Sequence, residues 1–165
     1  MPELLVMRHA KSAWDTGAAD HQRPLAPRGE RDRVTMARWL VASQLRPERV
    51  LCSSALRARE TAQYVVDTFG LAPAAVEFDD RLYQAGFRQW LGRIRDQHDD
   101  RLLVCGHNPA LDMLVEALSS VEPGLSASGK LMTTAAIAHL RFEQPWQDIT
   151  FGSGELVTIA RPREL

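Results

Sequence analysis

Short apolar segments alternate with longer amphipathic segments along nearly the whole chain, and this alternation limits the fold more than any other feature. Residues 3–7 and 101–105 are typical of buried strands, whereas residues 27–45 and 56–69 carry apolar side chains at helical spacing. The same criteria predict strands over 49–52, 75–78, 134–142 and 149–160, and helices over 87–97 and from 109 to about 118. Strands that alternate with helices indicate an α/β fold with a mostly parallel sheet between layers of helices.

The composition is that of one soluble globular domain, which we expect to span residues 1–165. A net charge of -1 gives no general attraction to nucleic acid or membranes, so neither is an expected partner. Cys52 and Cys105 have the spacing of neither a disulfide framework nor a zinc site. The N-terminal segment lacks a basic leader, and no stretch approaches the about 20 apolar residues of a membrane span. We therefore expect a cytoplasmic protein, and a monomer because no long apolar stripe is left over.

Polar residues follow three of the predicted strands at the point where each strand ends. The three groups are Arg8-His9, Ser53-Ser54 with Arg57, and His107-Asn108. Because the carboxyl ends of parallel strands meet at one edge of a sheet, and ligands bind there, we expect these groups to converge. One histidine at a strand end is usually structural, but two histidines and two arginines at three such ends indicate a site.

This set of side chains suits phosphoryl transfer, which needs a nucleophile, charge neutralisation and positioning. Guanidinium groups hold phosphoryl oxygens bidentately, and a neutral imidazole is a competent nucleophile near pH 7. A second imidazole, if protonated, would add a cationic donor. Helix N-termini after residues 53 and 108 would direct N–H groups at the anion, with Pro109 at a first helical position.

Other phosphatase chemistries need residues that this sequence lacks. A cysteine phosphatase has an arginine six residues after its cysteine, but Ala58 follows Cys52 and Leu111 follows Cys105 at that distance. The first strand leads to Met7-Arg8-His9 instead of the D-x-D of aspartyl-phosphate enzymes, and a Walker-type loop is absent. Only two histidines are well placed, which is too few for a metallophosphatase.

The motifs around these residues resemble those of the histidine phosphatase superfamily, in order and over nearly the whole chain. Arg8-His9-Ala10 resembles the R-H-G signature, residues 53–61 the S-x-x-x-R-A-x-x-T segment, and residues 106–109 the second-histidine segment. Two further family segments are similar to Arg23-Pro24-Leu25 with Arg28-Gly29, and to Met132-Thr133-Thr134-Ala135. The short length and the R-H-A-K-S form resemble the SixA-like branch, which acts on phosphohistidine in proteins.

The resemblance implies an α/β/α sandwich that needs no cofactor and no metal, and it implies a role for each matching residue. His9 would attack phosphorus and carry a phosphohistidine intermediate. The phosphoryl oxygens would be held by Arg8, Arg57 and His107. Further substrate contacts are expected from Ser12, Asn108 and Thr134.

Two positions depart from the family pattern. Ala10 replaces the usual glycine, a change that we expect the loop to tolerate. Larger members carry a glutamic acid in an L-x-E segment, where Gln84 stands here, with Asp15, Asp79 and Asp80 as candidate substitutes. Phosphate monoesters benefit from an acid that protonates the leaving alkoxide, whereas a leaving imidazole can already carry a proton. Loss of the acid therefore favours phosphohistidine as the substrate.

Three functions stay open on the sequence alone. The first is a phosphohistidine phosphatase whose partner is a phosphoprotein, for example a phosphohistidine domain; a short chain has little material for a lid, which favours an open site. The second is a small-molecule or phosphoserine/phosphothreonine phosphatase. The third is a phosphate-binding module, against which the in-line nucleophile argues.

Outside the motifs, Trp14 is a candidate pocket wall, and His21, His98 and His139 are expected to be surface or structural residues.

Overall fold

A computed structural model describes all 165 residues of the chain. Its six strands are β1 (Glu3–Arg8), β2 (Arg49–Ser53), β3 (Val76–Asp79), β4 (Arg101–Gly106), β5 (Ile137–Arg141) and β6 (Glu155–Ala160). Its four α-helices are α1 (Pro27–Ala42), α2 (Leu56–Phe69), α3 (Phe87–Arg95) and α4 (Ala110–Leu118). Short 3-10 helices cover Asp20–Gln22, Pro73–Ala75, Asp80–Leu82, Trp146–Asp148 and Pro162–Glu164.

The six strands form one sheet in the order β3-β2-β4-β1-β5-β6. The first four strands in this order are parallel, whereas β5 runs antiparallel to β1, and β6 antiparallel to β5. The predicted α/β fold with a mostly parallel sheet is therefore confirmed. The three strands that precede the polar groups, β2, β4 and β1, are direct neighbours.

Hydrophobic side chains cover both faces of the sheet. On β1, Leu4 and Val6 pack with residues of α3 and α4, whereas Leu5 and Met7 pack with residues of α1 and α2. All four are fully buried. Because both faces of β1 are buried, its sequence is a continuous apolar run in which polar and apolar residues do not alternate. The helices consequently form a layer on each side of the sheet.

Several predicted element boundaries are wrong for local reasons. Helix α1 ends at Ala42 instead of residue 45, because the chain turns at Gln44, whose φ is 58°. Strand β5 begins at Ile137 instead of residue 134, after a turn in which Ala135 has a φ of 66°. Strand β6 begins at Glu155 instead of residue 149, because a turn at residues 151–152 interrupts the extended chain there. The predicted end of α2 at Gly70, which has a φ of 62°, is correct.

The two cysteines, distant in sequence, are paired neighbours in the sheet. Cys52 on β2 is the register partner of Cys105 on β4, and neither side chain is exposed. Burial, together with the contact to Cys105, raises the pKa of the Cys52 thiol. Both residues therefore behave as core side chains and not as reactive thiols. None of the helices has both the length and the hydrophobicity that crossing a membrane requires.

Candidate active site

The register between β1 and β4 brings the two motif histidines together. Arg8 is paired with Gly106 at the ends of these strands, and the His9 main-chain N–H donates to the Gly106 carbonyl oxygen at 3.0 Å. The imidazole rings of His9 and His107 lie 5.2 Å apart between centroids. Only glycine fits at position 106, because a Cβ atom there would lie 2.5 Å from the buried Trp90 ring.

The His9 side chain is buried, and its tautomer is fixed by the main chain. Its Nδ1 donates to the Ala10 carbonyl oxygen at 2.7 Å, so in the neutral ring Nε2 carries the free lone pair. Burial is the main cause that lowers the His9 pKa to about 3, with smaller contributions from His107 and the two motif arginines. The loop is anchored by Thr61, whose hydroxyl accepts from the Ala10 N–H at 3.0 Å. His9 is thus a neutral imidazole near pH 7 with Nε2 available.

His107 is held from the neighbouring strand end. Its Nε2 lies 2.8 Å from the Ser53 hydroxyl, and its Nδ1 is buried without a hydrogen-bond partner. Burial, followed by the charge of Arg57, lowers the pKa of His107 to about 4. His107 is therefore neutral near pH 7, and it becomes a cationic donor only if a bound anion raises its pKa.

The two motif arginines approach the histidines from different elements. Arg8, at the end of β1, donates through Nη1 to the Met132 carbonyl oxygen at 3.0 Å, and its Nε is buried without an acceptor. Arg57, in the first turn of α2, is buried and donates to Asp20 through both terminal nitrogens. Each guanidinium is thus fixed by the protein while keeping nitrogens that an anion can use.

Asp20 and Tyr83 belong to this site, although the sequence patterns did not identify them. The Tyr83 hydroxyl donates to the Asp20 carboxylate, which also accepts from Arg23 at 3.1 Å. The bond from Tyr83 is the main cause that lowers the Asp20 pKa, and bonds from Arg23 and Arg57 add to it. The Tyr83 ring meets the His107 ring edge-on at 5.7 Å. The sequence offered one indication of Asp20, which is that it lies just before the Arg23-Pro24-Leu25 motif.

A cavity of about 430 Å³ opens beside His107 and Arg57. Gln84, at the position where larger members carry an acid, is exposed and lines this cavity. Asp20 is the one carboxylate among the lining residues. The three candidate substitutes for the acid do not line it: Asp15 and Asp80 are exposed elsewhere, and Asp79 is bound by Arg81 and Arg93.

The three predicted substrate contacts lie near the site, but fold contacts already use two of them. The Ser12 hydroxyl is buried and accepts from Arg23 at 2.7 Å. Asn108 donates to the Met132 carbonyl oxygen and accepts from the Asp112 N–H, so both ends of its amide are engaged. Thr134 does not line the cavity beside His107 but a second one, on the Arg8 side.

Two further expectations about this region need correction. Pro109 is not the first residue of α4 but its N-cap, and the helix begins at Ala110. Trp14 does not form a wall of either cavity; the residue is 71% exposed, and the Arg23 guanidinium carbon lies over its ring, 3.5 Å from the ring centroid. The arginine thereby links Trp14 to the loop that holds Ser12.

The remaining histidines have ordinary surroundings. His98 is exposed, and His139 is buried on β5 with its Nε2 2.6 Å from the Glu3 carboxylate. His21 is half-buried, 2.8 Å from the Ser54 hydroxyl, with its ring against Tyr83. No group of three or more His, Cys, Asp or Glu side chains is arranged to hold a metal ion.

Comparison with known proteins gives consistent matches over this fold and site. A family model described as the histidine phosphatase superfamily (branch 1) matches residues 4–93. The uncharacterized protein Rv1276c of Mycobacterium tuberculosis is 38% identical over 164 residues, which cover 95% of this chain and 100% of that protein. Phosphohistidine phosphatase SixA of Escherichia coli is 31% identical over 146 residues, 86% of each chain. The structure of the protein histidine phosphatase SixA complexed with tungstate has a TM-score of 0.74 and 29% identity, and the match covers 98% of both chains.

Proposed function

Because this chain belongs to the histidine phosphatase superfamily and is therefore a phosphatase, we propose that it dephosphorylates phosphohistidine in a protein substrate through an intermediate on His9. The match to residues 4–93 includes the strand-end pair Arg8-His9 and the Arg57 segment. The similarity to the phosphohistidine phosphatase SixA supports this substrate class.

His9 is the proposed nucleophile because its Nε2 is both unprotonated and free. The hydrogen bond from Nδ1 to the Ala10 carbonyl oxygen keeps the proton on the opposite side of the ring. A pKa near 3 means that almost no His9 is lost to the imidazolium form at neutral pH. Attack forms a bond between Nε2 and phosphorus while the bond from phosphorus to the leaving nitrogen breaks. Water then cleaves the phosphorylated His9 to give inorganic phosphate.

The charge on the transferred phosphoryl group would be stabilised by the groups that surround His9. Arg8 and Arg57 approach from β1 and α2, and each retains guanidinium nitrogens for the anion. His107 would respond to the bound dianion, because a nearby negative charge raises the pKa of an imidazole. The neutral His107 ring would then gain a proton and donate it in a hydrogen bond to a phosphoryl oxygen.

The choice of phosphohistidine depends on one observation, the lack of a protonated carboxylic acid beside His107. Asp20 is the one carboxylate of that cavity, and its pKa is lowered by Tyr83, Arg23 and Arg57, so it is ionised at neutral pH. Gln84 cannot donate a proton to a leaving alkoxide. A phosphohistidine ring protonated at its other nitrogen leaves as neutral imidazole and needs no such acid. Alkyl phosphates would lose the 10²- to 10⁴-fold contribution typical of a general acid.

Phosphate release from matched substrates tests this proposal. The protein is incubated with a phosphohistidine peptide, and separately with an alkyl phosphate and an aryl phosphate, all with EDTA present. We expect the phosphohistidine peptide to be the fastest substrate and His9→Ala to lower its turnover by at least about a thousandfold. The exposed His98→Ala serves as the matched control and should retain full activity. Equal rates on the alkyl phosphate and phosphohistidine would refute the substrate assignment, and an active His9→Ala would refute the nucleophile.

A further inference from the structure

A second cavity, of about 560 Å³, opens on the Arg8 side of the candidate active site. Charged side chains dominate its lining, and cations outnumber acids. We call it the basic cleft; its cationic residues are Arg8, Lys11, Arg28, Lys130, Arg161 and Arg163, and its acidic residues are Asp32 and Glu164. Hydroxyl groups of two serines and two threonines add hydrogen-bond donors along the same cleft.

Both acidic residues of the basic cleft already have an arginine partner. Glu164 lies 3.2 Å from Arg161, which is itself buried and held by two main-chain carbonyl oxygens. Asp32 lies 3.9 Å from Arg28, one turn away on α1. These pairs compensate one another, so no unpaired acid lines the cleft; outside the lining, Asp112 acts on Arg8 electrostatically but forms no salt bridge with it.

None of the other four cations of the basic cleft forms a salt bridge with a carboxylate. Arg8 retains a buried Nε without an acceptor, and Lys11 is half-buried. Lys130 and Arg163 are exposed. The chain as a whole has a net charge of -1, so this surplus of positive charge is local. A cleft lined by one sign of charge attracts ligands of the opposite sign and raises their local concentration.

The basic cleft begins where the phosphoryl group would sit. Arg8 precedes His9 in the chain and lines the cleft. Thr134 lines it too, and the next residue, Ala135, donates its N–H to the His9 carbonyl oxygen at 3.1 Å. From there the cleft extends to the turn before Lys130 and to the C-terminal segment at Arg163. The leaving ring of the substrate would face the cavity beside His107, and the protein chain that flanks this ring would cross Arg8 toward the basic cleft.

From this arrangement we propose that the basic cleft binds aspartate and glutamate side chains that flank the phosphohistidine of the protein substrate. This inference rests on the proposed function. A compact second anion on a small molecule would be best held by buried, bidentate arginines, but all three guanidinium nitrogens of the buried Arg161 already donate to protein acceptors. The unpaired cations come from separate segments and two of them are exposed, which suits an extended acidic surface.

Two phosphohistidine peptides test the proposal, one with acidic flanking residues and one with the amides Asn and Gln in their place. We expect the acidic peptide to have the higher kcat/KM, by about tenfold at low salt, and the advantage to shrink as salt is added. In the double variant Lys130→Gln/Arg163→Gln most of this advantage should disappear, while kcat/KM for the amide peptide stays within twofold. The matched control is Arg31→Gln/Arg38→Gln, which removes two exposed cations outside the basic cleft and should behave as wild type.

Fluorescence anisotropy of the unphosphorylated acidic peptide gives a second readout that does not depend on turnover. We expect binding to the wild type and about tenfold weaker binding to the cleft double variant. If neither phosphopeptide is cleaved, the proposed function fails, and the anisotropy result alone decides the role of the cleft. Equal kcat/KM for both peptides, or equal losses in the cleft and control variants, would overturn the inference. So would acidic-peptide binding that the cleft variant leaves unchanged.

Discussion

Arg57 donates a hydrogen bond to Asp20 from each of its two terminal nitrogens. Nη1 donates to the main-chain carbonyl oxygen at 2.7 Å, and Nη2 donates to the carboxylate at 3.1 Å. The same carboxylate accepts hydrogen bonds from Arg23 and Tyr83. An internal anion therefore engages one of the guanidiniums that we propose for phosphoryl binding. A bound phosphoryl group has to share Arg57 with Asp20, so this carboxylate both positions the arginine and competes for it.

Replacing Asp20 with asparagine should tighten the binding of inorganic phosphate. The substitution removes a negative charge next to the proposed dianion site, and the main-chain carbonyl oxygen continues to hold Arg57. Removing one negative charge beside a bound dianion in a partly solvated site should improve the binding free energy by about 1 kcal/mol. The inhibition constant for phosphate should therefore fall about fivefold. Competitive inhibition assays measure it, with Asp15→Asn at an exposed position as the control. Weaker inhibition in Asp20→Asn would mean that the carboxylate acts mainly by positioning Arg57.

The buried histidines should make the protein less stable in mild acid. Histidine has a pKa near 6.5 in the unfolded chain, but the folded values are lowered to about 3 for His9 and about 4 for His107. Below pH 6.5 the unfolded state therefore binds more protons than the folded state, and the free energy of unfolding falls as the pH falls. Between pH 7.5 and pH 5, His9 alone should account for a loss of about 2 kcal/mol.

Urea unfolding of the wild type and of His9→Gln at these two pH values measures that contribution. The variant lacks the buried imidazole, so its free energy of unfolding should change less between the two pH values than that of the wild type. His98→Gln removes an exposed histidine and should keep the wild-type difference. Identical pH dependence in the wild type and His9→Gln would mean that the folded His9 titrates like an unfolded one.

Much of the sheet, and the convergence of Arg8, His9, Arg57 and His107 at one edge of it, were predictable because strand ends and motifs are local in sequence. The apolar run over residues 4–7 and the motif at residues 53–61 each identify an element and the polar group at its end. Asp20 was not predictable in this way, since it lies on an isolated 3-10 helix without hydrophobic periodicity. Its role comes from contacts with Arg57 and Tyr83, which are 37 and 63 residues away.

The predicted substrate contacts illustrate a different limit of sequence reasoning. A pattern can indicate that Asn108 and Ser12 are near the site, but it does not show which partner their polar atoms have. Asn108 accepts from the Asp112 N–H in the first turn of α4 and donates to the Met132 carbonyl oxygen, while Ser12 accepts from Arg23. The main-chain geometry of the loops decides these contacts, so polar residues of a motif can serve the fold that holds the site.

Removing the Ser53 hydroxyl should lower activity by loosening His107. The hydroxyl lies 2.8 Å from His107 Nε2 and also accepts from the Ala55 N–H, so it ties the imidazole to the start of α2. Loss of one such hydrogen bond is worth about 1 kcal/mol, so kcat/KM of Ser53→Ala for phosphohistidine should fall about fivefold. Steady-state assays measure it. The neighbouring Ser54→Ala, which loses a contact to His21 instead, should stay within twofold of the wild type.

A glutamate at position 84 should broaden the substrate range of the enzyme. Gln84 is exposed and lines the cavity beside His107, so Gln84→Glu places a carboxyl group on the side from which the leaving group departs. We expect kcat/KM for an alkyl phosphate to rise about tenfold. This gain is smaller than that of an optimised general acid, because no other residue of the cavity is adapted to position the new carboxyl group. The rate on phosphohistidine, whose leaving imidazole needs no external proton, should change by less than twofold. Parallel assays on both substrates across pH 4.5–7.5 measure the ratio.

The pH dependence separates acid catalysis from a general effect of the new charge. If the glutamate donates a proton, the gain on the alkyl phosphate should be largest at the acidic end of the range and decline as its carboxyl group ionises. Gln147→Glu adds the same charge at an exposed site away from the cavity and should leave both rates unchanged. A gain that is equal for both substrates, or independent of pH, would argue against a missing acid as the reason for selecting phosphohistidine.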